Sequence, residues 1–306
     1  MKRRKANGAV LGLASLALAL AASPALAEES ASYTAYFQGK YVTALKLAEQ
    51  EAEAGSKEAF TLMGEIYSEG LGVAQDFNKA ADAYTKAAAL GDANAQFSLG
   101  TLTAEGLGVS KDPSKAANLF EEAAKNGNAA AQYNLALVYL NGKGRPADET
   151  KAAEWMQKAA EQSNPAAEYD LGAFYQFGRG VTVDKVKAAE WTEKAAEAGL
   201  PEAEIEFGVM LFKGEGIAVD EQRAAKFFRL SAEAGNPVAQ NRLARLYANG
   251  VVVTADPVQA AKWHLLAREA GVSDFALDLL LAKLSKEERQ AAEKAAEQWR
   301  RGALSE

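Results

Sequence analysis

The chain has 306 residues, of which 49% are hydrophobic, 25% charged and 8% aromatic, and it contains no cysteine. That balance belongs to a folded chain and excludes intrinsic disorder, while the lack of thiols excludes disulfide staples and cysteine-bound structural zinc. The formal charge is −7, and an acidic surface repels phosphate, which argues against nucleic acid and anionic lipid headgroups as partners.

The first element stands apart from the rest. Lys2, Arg3, Arg4 and Lys5 make a basic start, an apolar run follows from Val10 to Leu20, and Pro24 precedes the small-x-small triplet Ala25, Leu26, Ala27. This is the layout of a secretory signal peptide over residues 1–27, with cleavage expected after Ala27. The apolar run is too short to cross a bilayer, which takes about 20 residues. No later segment is apolar enough to do so. Removal of the four basic residues takes the charge to −7 − 4 = −11. The expected product is soluble, is not inserted in a membrane, and is periplasmic or secreted.

From Ala59 to Asp274 the sequence repeats six times with a period of 36. Gly70, Gly106, Gly142, Gly178, Gly214 and Gly250 share one slot; Asp76, Asp112, Asp148, Asp184, Asp220 and Asp256 share another; Ala80, Ala116, Ala152, Ala188, Ala224 and Ala260 a third. Such periodicity is the signature of a solenoid, in which single units cannot bury their own apolar faces. Each unit reads as two helices. In the fourth, the spacing predicts helices over Ala167–Tyr175 and Asp184–Ala198, with Gly178 and Gly180 in the turn between them. The aspartates are predicted to cap the second helices, and Pro113 and Pro257 stand at the first helical position after two of them. Trp155, Trp191, Phe227 and Trp263 recur in one slot and are expected to fill the space between helices, beside small pairs such as Ala188 and Ala189.

The ends depart from the repeat. Residues 28–58 form an N-terminal segment with half a repeat, since Ala44 and Gly55 stand 36 positions before Ala80 and Gly91. Residues 275–306 read as C-terminal capping helices: an apolar one over Phe275–Leu284, then one opened by the capping box of Ser285 and Glu288, with Ala292, Ala295, Ala296 and Trp299 on one face. The expected fold class is all-α, a superhelical solenoid of antiparallel helix pairs.

The run Ala131-Gln-Tyr-Asn-Leu-Ala-Leu-Val-Tyr139, with Gly142 and Gly144, Asp148, Lys151-Ala-Ala-Glu-Trp155 and Lys158-Ala-Ala-Glu161, resembles the Sel-one-like repeat, a relative of the tetratricopeptide repeat. Arg145 stands where Val is usual, and Val252 replaces the second loop glycine of the last repeat. The resemblance implies a right-handed superhelix acting as an adaptor, and bacterial members are often exported. One branch linked to penicillin binding is cysteine-rich; this chain lacks those cysteines, so that activity is not carried over.

No catalytic pattern stands out. Neither a Ser-x-x-Lys, a Gly-x-Ser-x-Gly, a His-Glu-x-x-His nor a phosphate-loop pattern occurs. The single histidine, His264, reads as a surface or groove side chain. The Gly-x-Gly turns follow helices rather than the strand that a dinucleotide site needs. The aspartates read as caps and not as an array for metal, and no cofactor is expected.

The sequence therefore points to a non-enzymatic, protein- or peptide-binding scaffold or adaptor of the bacterial cell envelope, expected to be a monomer. A secreted host-interaction factor and a cell-wall-related hydrolase are the alternatives. By analogy with tetratricopeptide repeats, the third, seventh and tenth slots of the first helices face the concave side. In repeats two to five they give the candidate groove residues Phe97, Tyr133, Leu137, Leu140, Tyr169, Ile205, Val209 and Phe212, with Ala173 and Gln176 between them. At the ends the strip gives way to polar residues: the same slots hold Thr61, Glu65 and Ser68 in the first repeat, and Asn241, Arg245 and Ala248 in the last. Lys143, Arg179 and Lys213 in the loops are available to acidic groups of a ligand.

Overall fold

In the computed structural model, which describes residues 30–303, each repeat is a pair of 13-residue helices. The expected signal peptide over residues 1–27 lies outside the described residues. Helices α1 (Ala31–Phe37) and α2 (Tyr41–Glu53) precede the repeats. The six pairs are α3 (Lys57–Glu69) with α4 (Phe77–Ala89), α5 (Ala93–Glu105) with α6 (Pro113–Lys125), α7 (Ala129–Asn141) with α8 (Glu149–Glu161), α9 (Pro165–Phe177) with α10 (Lys185–Glu197), α11 (Pro201–Lys213) with α12 (Glu221–Glu233), and α13 (Pro237–Asn249) with α14 (Pro257–Glu269). Helices α15 (Phe275–Lys283) and α16 (Lys286–Ala303) follow. The described residues contain no strand.

The boundaries have local causes. Asp184 accepts from the backbone N–H groups of Val186 and Lys187, and Asp76, Asp112 and Asp256 do the same in their repeats. Each satisfies donors that a helix start leaves free, worth about 1 kcal/mol per cap. The glycine ladder ends every first helix in the left-handed conformation. The first helix of the fourth repeat begins two residues before its expected start. Asn164 caps it by accepting from Ala167 N–H, and Pro165 occupies the first turn. Ser56, Asp92, Asn128 and Asn236 cap the other first helices in the same way, whereas Leu200 has no capping side chain. The capping box forms as expected: Ser285 N–H donates to Glu288, and Glu288 N–H to the Ser285 hydroxyl.

Side chains of the second helices enter gaps left by small residues on the first. A Cβ on Gly64 would lie 2.5 Å from the Tyr84 ring, one on Gly100 2.8 Å from Phe120, and one on Gly208 2.7 Å from Phe228. The register pairs Ala136 with Met156 and Ala244 with His264 in the same way. Each such side chain is fully or almost fully buried, a burial worth roughly 1.5–3 kcal/mol for a large apolar group.

The described residues divide into two compact units, one ending at Lys158 and the other beginning at Ala159. In the first, Tyr33, Leu45, Leu62 and Ile66 join α1, α2 and α3, and Tyr84, Leu99 and Leu102 continue the core. In the second, one core containing Phe207, Met210, Phe228, Leu243, Trp263, Leu277 and Ala296 reaches from α10 to α16. The recurring aromatic slot behaves unevenly. Phe227 and Trp263 are buried as expected, but Trp155 and Trp191 are half-exposed and lie beneath Lys158 and Lys194, whose ammonium groups sit 4.0 and 3.8 Å from the ring centroids. Trp263 combines both, since the Lys262 ammonium sits 4.0 Å from its ring centroid.

Val252 takes φ +65° where the other repeats place glycine. A β-branched residue in that conformation is strained by about 1–2 kcal/mol, and Val252 is exposed, so little burial offsets the strain. Val252→Gly is therefore expected to stabilise the last repeat by about 1 kcal/mol, net of the extra freedom glycine gives the unfolded chain. Urea unfolding of the two proteins measures it.

Candidate protein-interaction face

The third, seventh and tenth slots of the first helices differ between the ends and the middle of the array. In the first repeat Thr61, Glu65 and Ser68 are all buried. Tyr36 of α1 donates its hydroxyl to Glu65 Oε1 at 2.6 Å, and Ser68 lies 3.4 Å from the Tyr84 hydroxyl. Burial pushes the Glu65 carboxyl up to about 7, against the opposing pull of the Tyr36 hydroxyl and with a smaller push from Glu69. In the last repeat Asn241 and Arg245 both donate to Asp274 Oδ2, at 3.0 and 2.6 Å, while Asp274 Oδ1 caps α15. The terminal helices thus engage these slots at both ends.

Between them the slots hold large apolar groups. In the first unit Tyr133, Leu137 and Leu140 are half-buried on α7. In the second, Tyr169 on α9 and Ile205 and Val209 on α11 are half-buried against the core, and Phe212 is 39% exposed. Ala173 and Gln176 lie half-buried along α9.

Phe97 must be withdrawn from the expected groove. It is 9% exposed and stacks against Phe120 with ring centroids 5.9 Å apart. Because Gly100 has no Cβ, the Phe120 ring enters close to α5, and Phe97 closes over it. His264 is likewise corrected: it is no surface or groove side chain but fully buried. It occupies the slot of Tyr84, Phe120 and Phe228, and its Nε2–H donates to Asp278 of α15 at 2.8 Å, while Nδ1 is buried without a partner. The histidine ties the capping helix to the last repeat. The Asp278 carboxyl is held below its ordinary range, first by this bond.

Two of the three expected loop cations have a partner or platform of their own, while Lys143 is exposed. Lys213 pairs with Glu215 at 3.4 Å, and Arg179 lies over the Phe174 ring. Arg145, the departure from the usual valine, bonds Glu121 and, at 2.9 Å, Asn118 on the preceding repeat's α6.

Another slot escaped the sequence reading. Gln96, Gln132 and Gln240 each donate their side-chain amide to the carbonyl eight residues earlier, at 3.5, 3.1 and 3.3 Å. Glu168 and Glu204 replace them in the fourth and fifth repeats, and burial raises both carboxyls. The protonated form alone could donate to a carbonyl as the amides do. The signal was present as a Gln/Glu exchange at the same period.

Among the described residues, no group of three or more His, Asp or Glu could hold a metal ion, and no helix is long and apolar enough to cross a membrane.

The Sel1 repeat pattern matches residues 59–92, 93–128, 129–164, 165–200, 201–236 and 237–272, six consecutive units that coincide with the helix pairs. The chain belongs to the Sel1 repeat family. A Sel1 repeat protein from Oxalobacter formigenes is similar to it with 30% identity over 79% of this chain and 97% of that one, at a TM-score of 0.66. A second similar structure is c5321, a protective antigen present in uropathogenic Escherichia coli strains, which displays an SLR fold; it is 29% identical over 89% of this chain and 69% of its own, at a TM-score of 0.55. None of the curated proteins compared matches the chain. Sel1 repeats generally build non-enzymatic scaffolds and typically mediate protein interactions. In this Sel1 repeat protein the first helices of the third to fifth repeats keep large apolar side chains partly open to solvent.

Proposed function

We propose that this Sel1 repeat protein is an exported scaffold of the bacterial cell envelope that binds a protein or peptide segment through apolar side chains presented by its first helices. One observation carries the reading. The equivalent slots are engaged by α1 and α15 at the two ends, but in the third to fifth repeats they hold Leu137, Leu140, Ile205, Val209 and Phe212 with access to solvent. Bulky apolar groups kept at a surface cost solubility and are usually retained for contact. The amino-terminal basic, apolar and small-residue segments support export.

A photo-reactive residue at Leu137 or Phe212 in living cells should give discrete crosslinked products, with the same residue at Lys194 of α10 as a control. Products from Lys194 alone would place the binding face elsewhere. Cell fractionation tests the location, and retention in the cytoplasm would remove the envelope from the proposal. The similar protective antigen gives a reason to include the culture medium among the fractions, since a secreted host-contact role is the second reading.

A further inference from the structure

Helix α11 carries an asymmetric face. Glu202, Ile205, Glu206 and Val209 stand at i, i+3, i+4 and i+7, so they lie along one side of the helix, and Phe212 continues it. Ile205 and Val209 are half-buried against the core of the second unit, as is Tyr169 of the neighbouring α9. Glu202 and Glu206 are exposed, and neither forms an ion pair among the described residues. Two carboxylates four residues apart on a helix repel each other. Both act on the Tyr169 hydroxyl: its proton is held more tightly than usual, first through burial and then through Glu206, Asp170 and Glu202. The negative charge is thus gathered where the apolar side chains stand open. The corresponding positions of other repeats do not repeat this pattern: Ala130 and Asn134 occupy them in the third, Val238 and Arg242 in the sixth.

We propose that the α9–α11 face takes a cationic amphipathic peptide segment, whose apolar side chains seat on Tyr169, Ile205, Val209 and Phe212 and whose Lys or Arg groups pair with Glu202 and Glu206. The inference rests on the peptide-binding reading above and adds the charge of the partner. A free polyamine would use the carboxylates but leave the apolar groups uncovered. An acidic segment would meet two uncompensated like charges at the rim, which selects against it.

The test titrates the mature chain with two fluorescent helical peptides of identical leucine pattern, one with lysine and one with glutamate at the polar positions. The lysine peptide should bind, the glutamate peptide should not, and binding should weaken in about 0.5 M salt. Glu202→Gln with Glu206→Gln should weaken the lysine peptide by about five- to tenfold, as expected for two rim pairs. Glu190→Gln with Glu221→Gln, exposed on the second helices, should leave affinity within about twofold. If both peptides bind equally and Val209→Asp abolishes both, the binding face stands and the charge selectivity falls. An equal loss from the Glu190 and Glu221 pair would mean diffuse attraction to an acidic protein and overturn the inference. If neither peptide binds, the inference is overturned, while crosslinking from Leu137 and Phe212 judges the broader reading separately.

Discussion

Gly216→Ala should destabilise the protein by about 3 kcal/mol or more, whereas Gly199→Ala should cost only about 1 kcal/mol, although both glycines have a positive φ. The backbone angles are similar, +76° and +83°, so the intrinsic penalty of adding a Cβ is shared. The surroundings differ. A Cβ on Gly216 would stand 1.9 Å from the Lys185 carbonyl oxygen, a backbone atom held at the start of α10, whereas one on Gly199 would meet nothing within 4 Å. At Gly216 the loop after α11 therefore comes so close to the backbone of the preceding repeat that a Cβ leaves no room, and relief requires one repeat to shift from the other. A Cβ on Gly108 or Gly144 would likewise stand 2.0 or 2.1 Å from the Phe77 or Pro113 carbonyl oxygen, so their alanine variants should behave like Gly216→Ala. Urea unfolding followed by circular dichroism separates the two classes; equal destabilisation of Gly216→Ala and Gly199→Ala would show that the close approach contributes nothing.

Glu65→Gln should stabilise the first unit above neutral pH and have no effect in acid. The carboxyl is raised from 4.5 to about 7, chiefly by burial. A folded value above the unfolded one means that the native state binds the proton more tightly. The stability linked to this group is then complete below pH 4.5 and disappears as pH rises through about 7. At about 1.36 kcal/mol for each tenfold change in proton affinity, the loss across that window is about 3 kcal/mol. Glutamine keeps an acceptor for the Tyr36 hydroxyl but has no charge to bury, so its stability should not fall over the same window. Thermal melts of both proteins at about pH 5 and about pH 8.5 test the sign, and hydrogen exchange in α1 and α3 locates the change. A constant difference at the two pH values would mean that Glu65 does not titrate in this window.

What the sequence revealed and what it hid follows from the range of the interactions. The aspartate caps, the left-handed glycines and the Ser285–Glu288 box act within a few residues of their own positions, and each could be placed from sequence alone. The 36-residue period made the reading firmer by presenting the same local solution six times. Phe97, Glu65 and His264 were different. Whether Phe97 reaches solvent depends on how far the Phe120 ring enters above Gly100. Whether Glu65 is buried depends on the Tyr36 side of α1, and the role of His264 depends on Asp278 in α15. None of these partners is signalled by the residue itself. The Glu168 and Glu204 exchange was visible at the correct period, but its meaning needed the hydrogen bonds made by the three glutamines.

The ties that fasten the terminal helices, Tyr36 to Glu65 at one end and Asn241, Arg245 and His264 to α15 at the other, are confined to the first and last repeats. Within an inner copy such as residues 93–128, the cap from Asp112 and the ring over Gly100 recur in other copies, and the Gly108 approach to the preceding repeat is made again by Gly144 and Gly216. Duplicating or deleting that segment in frame leaves both ends with their proper partners. Array length is therefore a quantity that recombination can adjust in whole steps, and the number of first helices the protein presents can change without redesign of either terminus.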